Sequence, residues 1–387
     1  MQFFRLLAVW TVVFMTTGCA KLPPNFEPTE ALTYRTADGW EIALRHYPGD
    51  GDPVLLVHGM AANHYNWDYR KELSLAAVLQ AQGWDVWVPD MRGDPSSVAP
   101  DKKSKRTFSF DDYATKDLPA AVDAVLAHTG EDGLYWVGHS MGGILLYTAL
   151  STFPEKIHAG VAISSPARLE VQNPIHHAAR RTGWLLAGNG VLPSRLIAVS
   201  SMWMGRTNPM LGLITHKDNV DIKIIRGMAG TTIVDLPFAV GRQVRQWLLA
   251  EEIVSVEGAS WVKPDTTPLL VMAGGADRIV PPENVLAACD IFPNCESVLL
   301  DPTAGFSTAY GHIDPVLSPN APKEVYPLVT AFLDDQRAAK ALESRRAVQH
   351  AMRGDPESPE PVQSTRATTG DVTSQSEANP TQSSPAK

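Results

Sequence analysis

The sequence predicts an α/β protein: a mostly parallel, doubly wound sheet with helices on both faces and an inserted helical cap. Continuous apolar runs such as Val54–Val57 and Leu269–Met272 alternate with helical segments, as strands covered on both faces do. Residues 167–262 hold no long apolar strand, and their periodicity is helical where it exists. We interpret this stretch as a cap over the site, with additional core as the alternative.

Composition limits the classes of function. The chain has 387 residues, of which 44% are hydrophobic, enough for a substantial core. This length suits one large domain with an insertion, or two ordinary domains. The formal net charge is -9 and no cluster of Lys and Arg stands out, so we expect no nucleic acid partner.

The N-terminus has the sequence pattern of an export signal. Residues 1–18 resemble a signal peptide, because the apolar run Leu6–Met15 is too short to span a bilayer. Cys19 follows small residues as in a bacterial lipobox, where the cysteine becomes the lipidated first residue. We therefore expect an exported lipoprotein anchored at Cys19, with residues 19–31 as a tether; ordinary cleavage, leaving Cys19 free, is the alternative. Ala20 after the cysteine favours the outer membrane, facing the periplasm or the exterior.

The remaining chain divides by pattern. Residues 32–166 and 263–350 form the two parts of the core, and residues 351–387, rich in Ser, Thr and Pro, are predicted to be disordered. A hairpin should turn at Asp38-Gly39. Further predicted strands are 54–57, 84–88, 134–137, 161–163, 268–272 and 297–300; predicted helices are 66–82, 109–128 with a kink at Pro119, 144–150, 282–291 and 323–350.

One motif indicates a catalytic site. The apolar strand Leu134–Val137 stops at Gly138, and Gly138-His-Ser-Met-Gly142 matches G-x-S-x-G directly before an apolar helix. A serine on such a strand-to-helix corner adopts a strained backbone that lifts its hydroxyl to the helix N-terminus. We interpret Ser140 as a nucleophile. The alternative is a tight packing turn.

A serine nucleophile needs a base and an acid. His312 follows the last predicted strand, beside Gly311, and the order Ser, Asp, His fits this architecture. Asp277 follows a buried strand through two glycines and is the leading acid. Asp301, which also ends a strand, is the runner-up, and Asp314 more plausibly shapes the histidine loop.

The oxyanion of a tetrahedral intermediate requires backbone donors. We assign these to the N–H groups of Met141, at the start of the helix, and Met60, after His58-Gly59. No metal ligand spacing accompanies the remaining cysteines, Cys289 and Cys295. Export makes a disulfide between them permissible, and two unrelated buried thiols are the alternative.

With these residues placed, the chain resembles the α/β-hydrolases, and more closely their acid lipase branch. The resemblance covers roughly residues 50–165 and 265–335. The serine separates the chain from dehalogenase and epoxide hydrolase relatives, which use Asp at this corner, and from polyester synthases, which use Cys. The matching passages are Gly83-Trp-Asp-Val-Trp87, Arg92-Gly93, Phe108-Ser-Phe-Asp-Asp112, Lys116-Asp-Leu-Pro-Ala120, Val137-Gly-His-Ser140, Gly274-Gly-Ala-Asp277, Tyr310-Gly-His-Ile-Asp314 and Ala321-Pro-Lys-Glu-Val-Tyr326.

The residues and the resemblance together imply a serine carboxylic-ester hydrolase, an esterase or lipase. It would act through an acyl-enzyme on a small-molecule or lipid ester with an apolar acyl or alkyl part. We expect no metal and no organic cofactor. Two alternatives use the same features: acyl transfer by the same triad, and a lipoprotein that binds lipid without turnover.

Overall fold

The computed structural model describes residues 21–353 of the chain. The predicted signal peptide, Cys19 and the predicted tail beyond residue 353 lie outside the described residues. Among residues 21–353, no helix combines the length and apolarity needed to cross a bilayer. One unit extends through Ala341, and residues 342–353 are the end of the last helix.

Within the described part of the chain, eight strands form one sheet in the order β1-β2-β4-β3-β5-β6-β7-β8. The β1–β2 and β2–β4 pairs are antiparallel, and the other pairs are parallel. This confirms the predicted mostly parallel α/β fold. The strands are β1 Glu30–Arg35, β2 Glu41–Tyr47, β3 Pro53–Val57, β4 Asp85–Asp90, β5 Leu134–His139, β6 Ile157–Ile163, β7 Leu269–Gly274 and β8 Cys295–Leu300.

The core covers both faces of the sheet. On β3, Leu55 and Val57 belong to one buried cluster, whereas Val54 and Leu56 belong to another. Alternate residues of a strand point to opposite faces, so the uninterrupted apolar run reflects burial on both sides. Each such side chain contributes about 1.5–3 kcal/mol when fully buried.

The predicted helix 66–82 is broken into three pieces. Helix α1 is Tyr65–Asp68, a 3₁₀ turn follows at Lys71–Leu73, and α2 is Leu75–Ala81. Ser74 causes the last break, because its hydroxyl accepts a hydrogen bond from the Ala77 N–H and so starts a new helix. Side-chain capping of this kind competes with continuous helix.

The segment up to the next helix also differs from prediction. Residues 92–107, which follow β4 and for which no helix is predicted, contain a short helix, α3, Ser104–Thr107. The kink expected at Pro119 takes the form of a π-helical turn, Tyr113–Asp117, between α4 Phe110–Asp112 and α5 Leu118–Thr129. Pro119 thus occupies the first turn of α5, where its missing N–H costs nothing.

Helix α6, Met141–Thr152, leaves the G-x-S-x-G corner. The inserted residues 167–262 are mainly helical, with a two-residue ribbon between Val191–Leu192 and Leu236–Pro237. Helices of the insertion are α7 Pro174–Thr182, α8 Ser194–Ser201, α9 Leu211–Ile214, α10 Ile222–Thr231 and α11 Phe238–Ala250. The later helices are α12 Pro282–Leu286, α13 Asp314–Leu317, α14 Ala321–Glu324 and α15 Tyr326–Arg353.

Arg92 forms the most buried ion pair of the first half of the chain. Its guanidinium lies 2.7 Å from Asp117 Oδ1 and 2.9 Å from Asp38 Oδ2, and the side chains of Arg92 and Asp117 are almost fully buried. Burial alone would lower the pKa of Arg92, but the charge of Asp117 and hydrogen bonds to Asp117 and Asp38 raise it above its usual value. Burial raises the pKa of Asp117 from 3.8 to about 6, although the charge of Arg92 opposes the shift, so both groups are charged at pH 7.

We expect Arg92→Met to lower the free energy of unfolding by about 3–5 kcal/mol, because it leaves the buried Asp117 carboxylate without its cationic partner and with only the residue 92 backbone N–H as a donor from this position. Urea denaturation measures this loss. The matched control is Arg35→Met, since Arg35 pairs with Glu41 at 2.6 Å on the exposed surface; its effect should stay below about 1 kcal/mol. Equal effects of the two substitutions would contradict this account of Arg92.

Candidate active site

Ser140 lies on a strained corner between β5 and α6. Its φ is 53° and its ψ is -115°, a region that residues with a side chain rarely occupy. Two close approaches make the corner possible. A Cβ at Gly142 would lie 2.0 Å from the Val57 carbonyl oxygen, and one at Gly138 would lie 2.3 Å from the Gly142 carbonyl. Only glycine fits either position.

Three predicted side chains meet at the carboxyl ends of the parallel strands. His312 Nε2 lies 2.9 Å from Ser140 Oγ, and His312 Nδ1 lies 2.7 Å from Asp277 Oδ2. Since the Asp277 carboxylate can only accept, Nδ1–H donates to it and the Nε2 lone pair is left for the serine hydroxyl. The Nε2 lone pair of the imidazole is thereby directed at the Ser140 hydroxyl.

The acid is itself held in place. Asp277 is buried, and its Oδ1 accepts hydrogen bonds from the N–H groups of Ile279 and Val280 at 2.8 and 2.9 Å. These bonds leave Oδ2 facing His312. The two alternative acids have other contacts: Asp301 accepts from the Thr303 N–H, and Asp314 accepts from backbone N–H groups of the histidine loop and the cap.

Two apolar cavities among the described residues meet at Ser140. The smaller, about 170 Å³, extends under α7 and α11. The larger, about 280 Å³, extends under α8 and α10. The smaller is lined mainly by Phe110, Ile144, Leu169, Val240, Val244 and Trp247, and the larger by Ala198, Met202, Ile214, Ile225, Met228 and Leu317.

The two predicted oxyanion donors flank this junction. Met60 follows β3 and lines both cavities with Ser140, and Met141 begins α6 beside the serine and lines the smaller cavity. Gly59 precedes Met60, and a Cβ there would lie 3.1 Å from the His139 imidazole. The loop after β3 therefore approaches the serine corner closely. The oxyanion role of the two N–H groups stays a prediction.

Comparison with known proteins decides the family. A model of the alpha/beta hydrolase fold family matches residues 52–312. The chain belongs to the alpha/beta hydrolase fold family. Gastric triacylglycerol lipase of Mus musculus is 25% identical over 372 residues, covering 80% of this chain and 89% of the relative. Lipase member K of Homo sapiens is 25% identical over 356 residues, covering 77% and 86%.

A solved structure agrees in fold. A thermophilic esterase from Thermogutta terrifontis superposes with a TM-score of 0.53 at 20% sequence identity, covering 80% of this chain and all (100%) of the esterase. The family match and the relatives show that the chain is a hydrolase of the lipase and esterase type. The resemblance inferred from the motifs is confirmed to that level.

His139 of this hydrolase has a contact that the sequence did not reveal. It directly precedes Ser140 on the corner, and its Nε2 lies 3.0 Å from the His312 carbonyl oxygen. Burial lowers the pKa of His139 to about 3, so the ring is neutral and donates from Nε2. A polar residue at the end of an apolar strand, β5, which is buried throughout, is the signal that could have indicated a specific partner.

His176 is a second contact that was missed. It lines the smaller cavity, and its Nε2 donates to the Ile279 carbonyl at 2.9 Å. Ile279 also donates its N–H to Asp277. His176 therefore joins cap helix α7 to the loop that holds the acid.

Asp314 shapes the histidine loop, as expected. Its Oδ2 accepts from the N–H groups of Gly311 at 2.7 Å and His216 at 2.8 Å. Burial raises the pKa of Asp314 from 3.8 to about 6, although these hydrogen bonds oppose the shift. Because the folded state favours the protonated carboxyl, this group stabilises the fold at low pH, and the contribution is lost as pH rises through about 6.

We therefore expect the stability of Asp314→Asn relative to wild type to rise by about 2 kcal/mol between about pH 4.5 and about pH 7.5. The asparagine oxygen can still accept from Gly311, and the amide does not ionise. Urea denaturation at several pH values measures the difference. The exposed Asp218→Asn is the control and should show no such trend. A difference for Asp314→Asn that is independent of pH would contradict the prediction.

Two other clusters lie apart from the serine. Cys289 and Cys295 are joined by a disulfide, with Cα atoms 5.1 Å apart. Glu30, His46 and His128 bring three ligand atoms within 4.8 Å of one another and could hold a metal. However, both His46 nitrogens already have hydrogen-bond partners, Glu30 at 3.1 Å and Asp85 at 2.7 Å. These two contacts explain the position of His46 without a metal.

Proposed function

We propose that the chain is a serine carboxylic-ester hydrolase in which Ser140 is the nucleophile, His312 the base and Asp277 the orienting acid. One observation supports this most strongly: a continuous hydrogen-bonded line from Ser140 Oγ through both His312 nitrogens to a buried carboxylate. A serine hydroxyl is a weak nucleophile unless a positioned base removes its proton. In this line of hydrogen bonds, His312 is that base.

In the proposed reaction, the Ser140 proton passes to His312 Nε2 as Oγ attacks the ester carbonyl carbon. Collapse of the tetrahedral intermediate breaks the ester C–O bond, and His312 gives the proton to the departing alcohol. Water then repeats the sequence on the acyl-enzyme and releases the acid. The Asp277 carboxylate stabilises the imidazolium at each step. The N–H groups of Met60 and Met141 would hold the oxyanion.

The two cavities support an ester that is apolar on both sides of the scissile bond. A single serine serves both cavities, so the acyl part would enter one and the alcohol part the other. The larger cavity, under α8 and α10, would take the bulkier part. Among relatives, the protein named gastric triacylglycerol lipase is consistent with a lipid ester.

The test is a pair of ester series. In one, p-nitrophenyl esters of increasing acyl length are compared; in the other, acetate esters of increasing alkyl length. Since each buried methylene contributes about 0.8 kcal/mol, kcat/KM should rise about fourfold per methylene in both series until a cavity is full. Val244→Trp, which narrows the smaller cavity, should flatten one series. Its control is Leu249→Trp, because Leu249 is exposed on the same helix α11. A wild-type kcat/KM that does not change with chain length in either series would contradict the proposal.

We also propose that Cys19 is a lipid anchor that attaches the exported protein to the outer membrane. The support is the sequence alone: a short apolar run, small residues and then the cysteine. Metabolic labelling with an alkyne fatty acid tests it, comparing wild type with Cys19→Ser. Equal labelling of the two would overturn the anchor without affecting the hydrolase.

A further inference from the structure

The cap carries a segment whose charge differs from that of the rest of the chain. The whole sequence has 42 acidic residues against 33 Lys and Arg, yet residues 171–217 contain five Lys and Arg and no Asp or Glu. The five are Arg180, Arg181, Arg195, Arg206 and Lys217. A net positive segment in an acidic protein is a feature that attracts an anionic surface.

The same segment exposes apolar side chains. Among the described residues, half of the exposed large hydrophobic side chains fall between residues 185 and 210. Trp203 is 79% exposed and Leu196 is 65% exposed, so neither is used by the core. We call this set the cap face: Leu185, Leu192, Leu196, Ile197, Val199, Trp203, Met204 and Met210. A clustered apolar surface of this kind marks an interaction site.

Helix α8 places the cap face close to the catalytic cavity. Ala198 and Met202, four residues apart and thus on one side of the helix, line the larger cavity beside Ser140. Leu196 is exposed and lies on the other side. The wall between cavity and exterior at this point is therefore one helix, roughly 10 Å thick.

We propose that the cap face docks on an anionic phospholipid bilayer. Two acids from outside the segment reach it, since Glu251 lies 3.6 Å from Arg180 and Asp235 accepts from the Arg195 N–H, but the basic residues remain in excess. Apolar side chains with an excess of basic residues are the combination that binds the interface of such a bilayer. A second copy of this chain is disfavoured as the occupant, because two net positive faces would repel each other. The inference rests on the proposed function in one respect: the bilayer would supply the ester that the site hydrolyses.

Flotation with vesicles tests the docking. Every arm uses the full-length chain with Cys19→Ser, so that an acyl anchor cannot contribute, and with Ser140→Ala, so that no lipid is hydrolysed. Vesicles are phosphatidylcholine alone or equal parts of phosphatidylcholine and phosphatidylglycerol. We compare this parent with Leu196→Ser/Trp203→Ser and with the matched control Val98→Ser/Val256→Ser, whose side chains are exposed outside residues 171–217.

The parent and the control should float with the mixed vesicles, and the Leu196/Trp203 variant should bind at least tenfold more weakly. Arg195→Gln should weaken binding to mixed vesicles about fivefold and leave binding to phosphatidylcholine unchanged. Equal flotation of the Leu196/Trp203 variant, or binding indifferent to phosphatidylglycerol, would overturn the proposal. So would sedimentation showing a vesicle-free dimer of the parent that this variant abolishes, since the occupant would then be a second copy.

Hydrolysis of a soluble p-nitrophenyl ester separates this inference from the proposed function. With Ser140 restored, Leu196→Ser/Trp203→Ser should keep the activity of wild type on that ester in the absence of vesicles. If soluble hydrolysis fails in the wild type, the proposed function fails and flotation still decides the docking.

Discussion

Replacement of Ser140 with alanine is expected to lower kcat for ester hydrolysis by about 10⁶-fold. The variant has no oxygen to attack the carbonyl carbon, and His312 Nε2, which accepts a hydrogen bond from the Ser140 hydroxyl at 2.9 Å in the wild type, loses its donor. Residual turnover would come from oriented water and the backbone donors. Single-turnover kinetics with a p-nitrophenyl ester measures the loss.

The matched control is Ser164→Ala. Ser164 is also a buried serine with a positive φ, 52°, just after the neighbouring strand β6, and no catalytic step uses it. Its variant should retain kcat within about threefold. Unchanged thermal melting of Ser140→Ala would show that the lost activity is not lost folding. A Ser140→Ala variant that still turns over at the rate of wild type would contradict the nucleophile assignment.

Asp277→Asn is expected to lower kcat by about 10⁴-fold. The Ile279 and Val280 N–H groups bind Oδ1, and an asparagine would keep its oxygen there. Its NH₂ group would then face His312 Nδ1 and donate to it, which places the remaining imidazole proton on Nε2. In that tautomer His312 cannot accept the Ser140 proton.

Asp301→Asn is the control, because Asp301 ends the adjacent strand β8 and caps the following turn through the Thr303 N–H. It should leave kcat within about threefold. The pH profile gives a further readout: the activity of Asp277→Asn should rise at high pH, as hydroxide takes the Ser140 proton in place of the imidazole. If Asp301→Asn were the more damaging of the two, Asp301 would replace Asp277 as the acid.

Much of the sheet could be predicted because its strands are buried on both faces and so read as apolar runs. The positions of Ser140, Asp277 and His312 were predicted from the same strand pattern, because each residue follows a predicted strand. Parallel strands end at one edge, which brings together side chains 35 and 172 residues apart in sequence. The hairpin at Gly39 followed from its turn chemistry, and Gly39 does have a positive φ of 86°.

What could not be predicted depends on single hydrogen bonds between distant residues. His139 donates to the His312 carbonyl across 173 residues, and His176 donates to the Ile279 carbonyl across 103. Neither partner is marked by periodicity or spacing. The break at Ser74 and the π-helical turn before Pro119 are local, yet helical periodicity over 66–82 and 109–128 concealed them, because the apolar pattern continues through both.

The most direct test of the central claim is labelling with a fluorophosphonate, followed by mass mapping of the modified peptide. The account predicts one phosphonate per chain, on the Ser140 oxygen, with label lost in Ser140→Ala and retained in Ser164→Ala. Equal labelling of wild type and Ser140→Ala, or a phosphonate mapped to another residue, would contradict the assignment of Ser140 as the nucleophile.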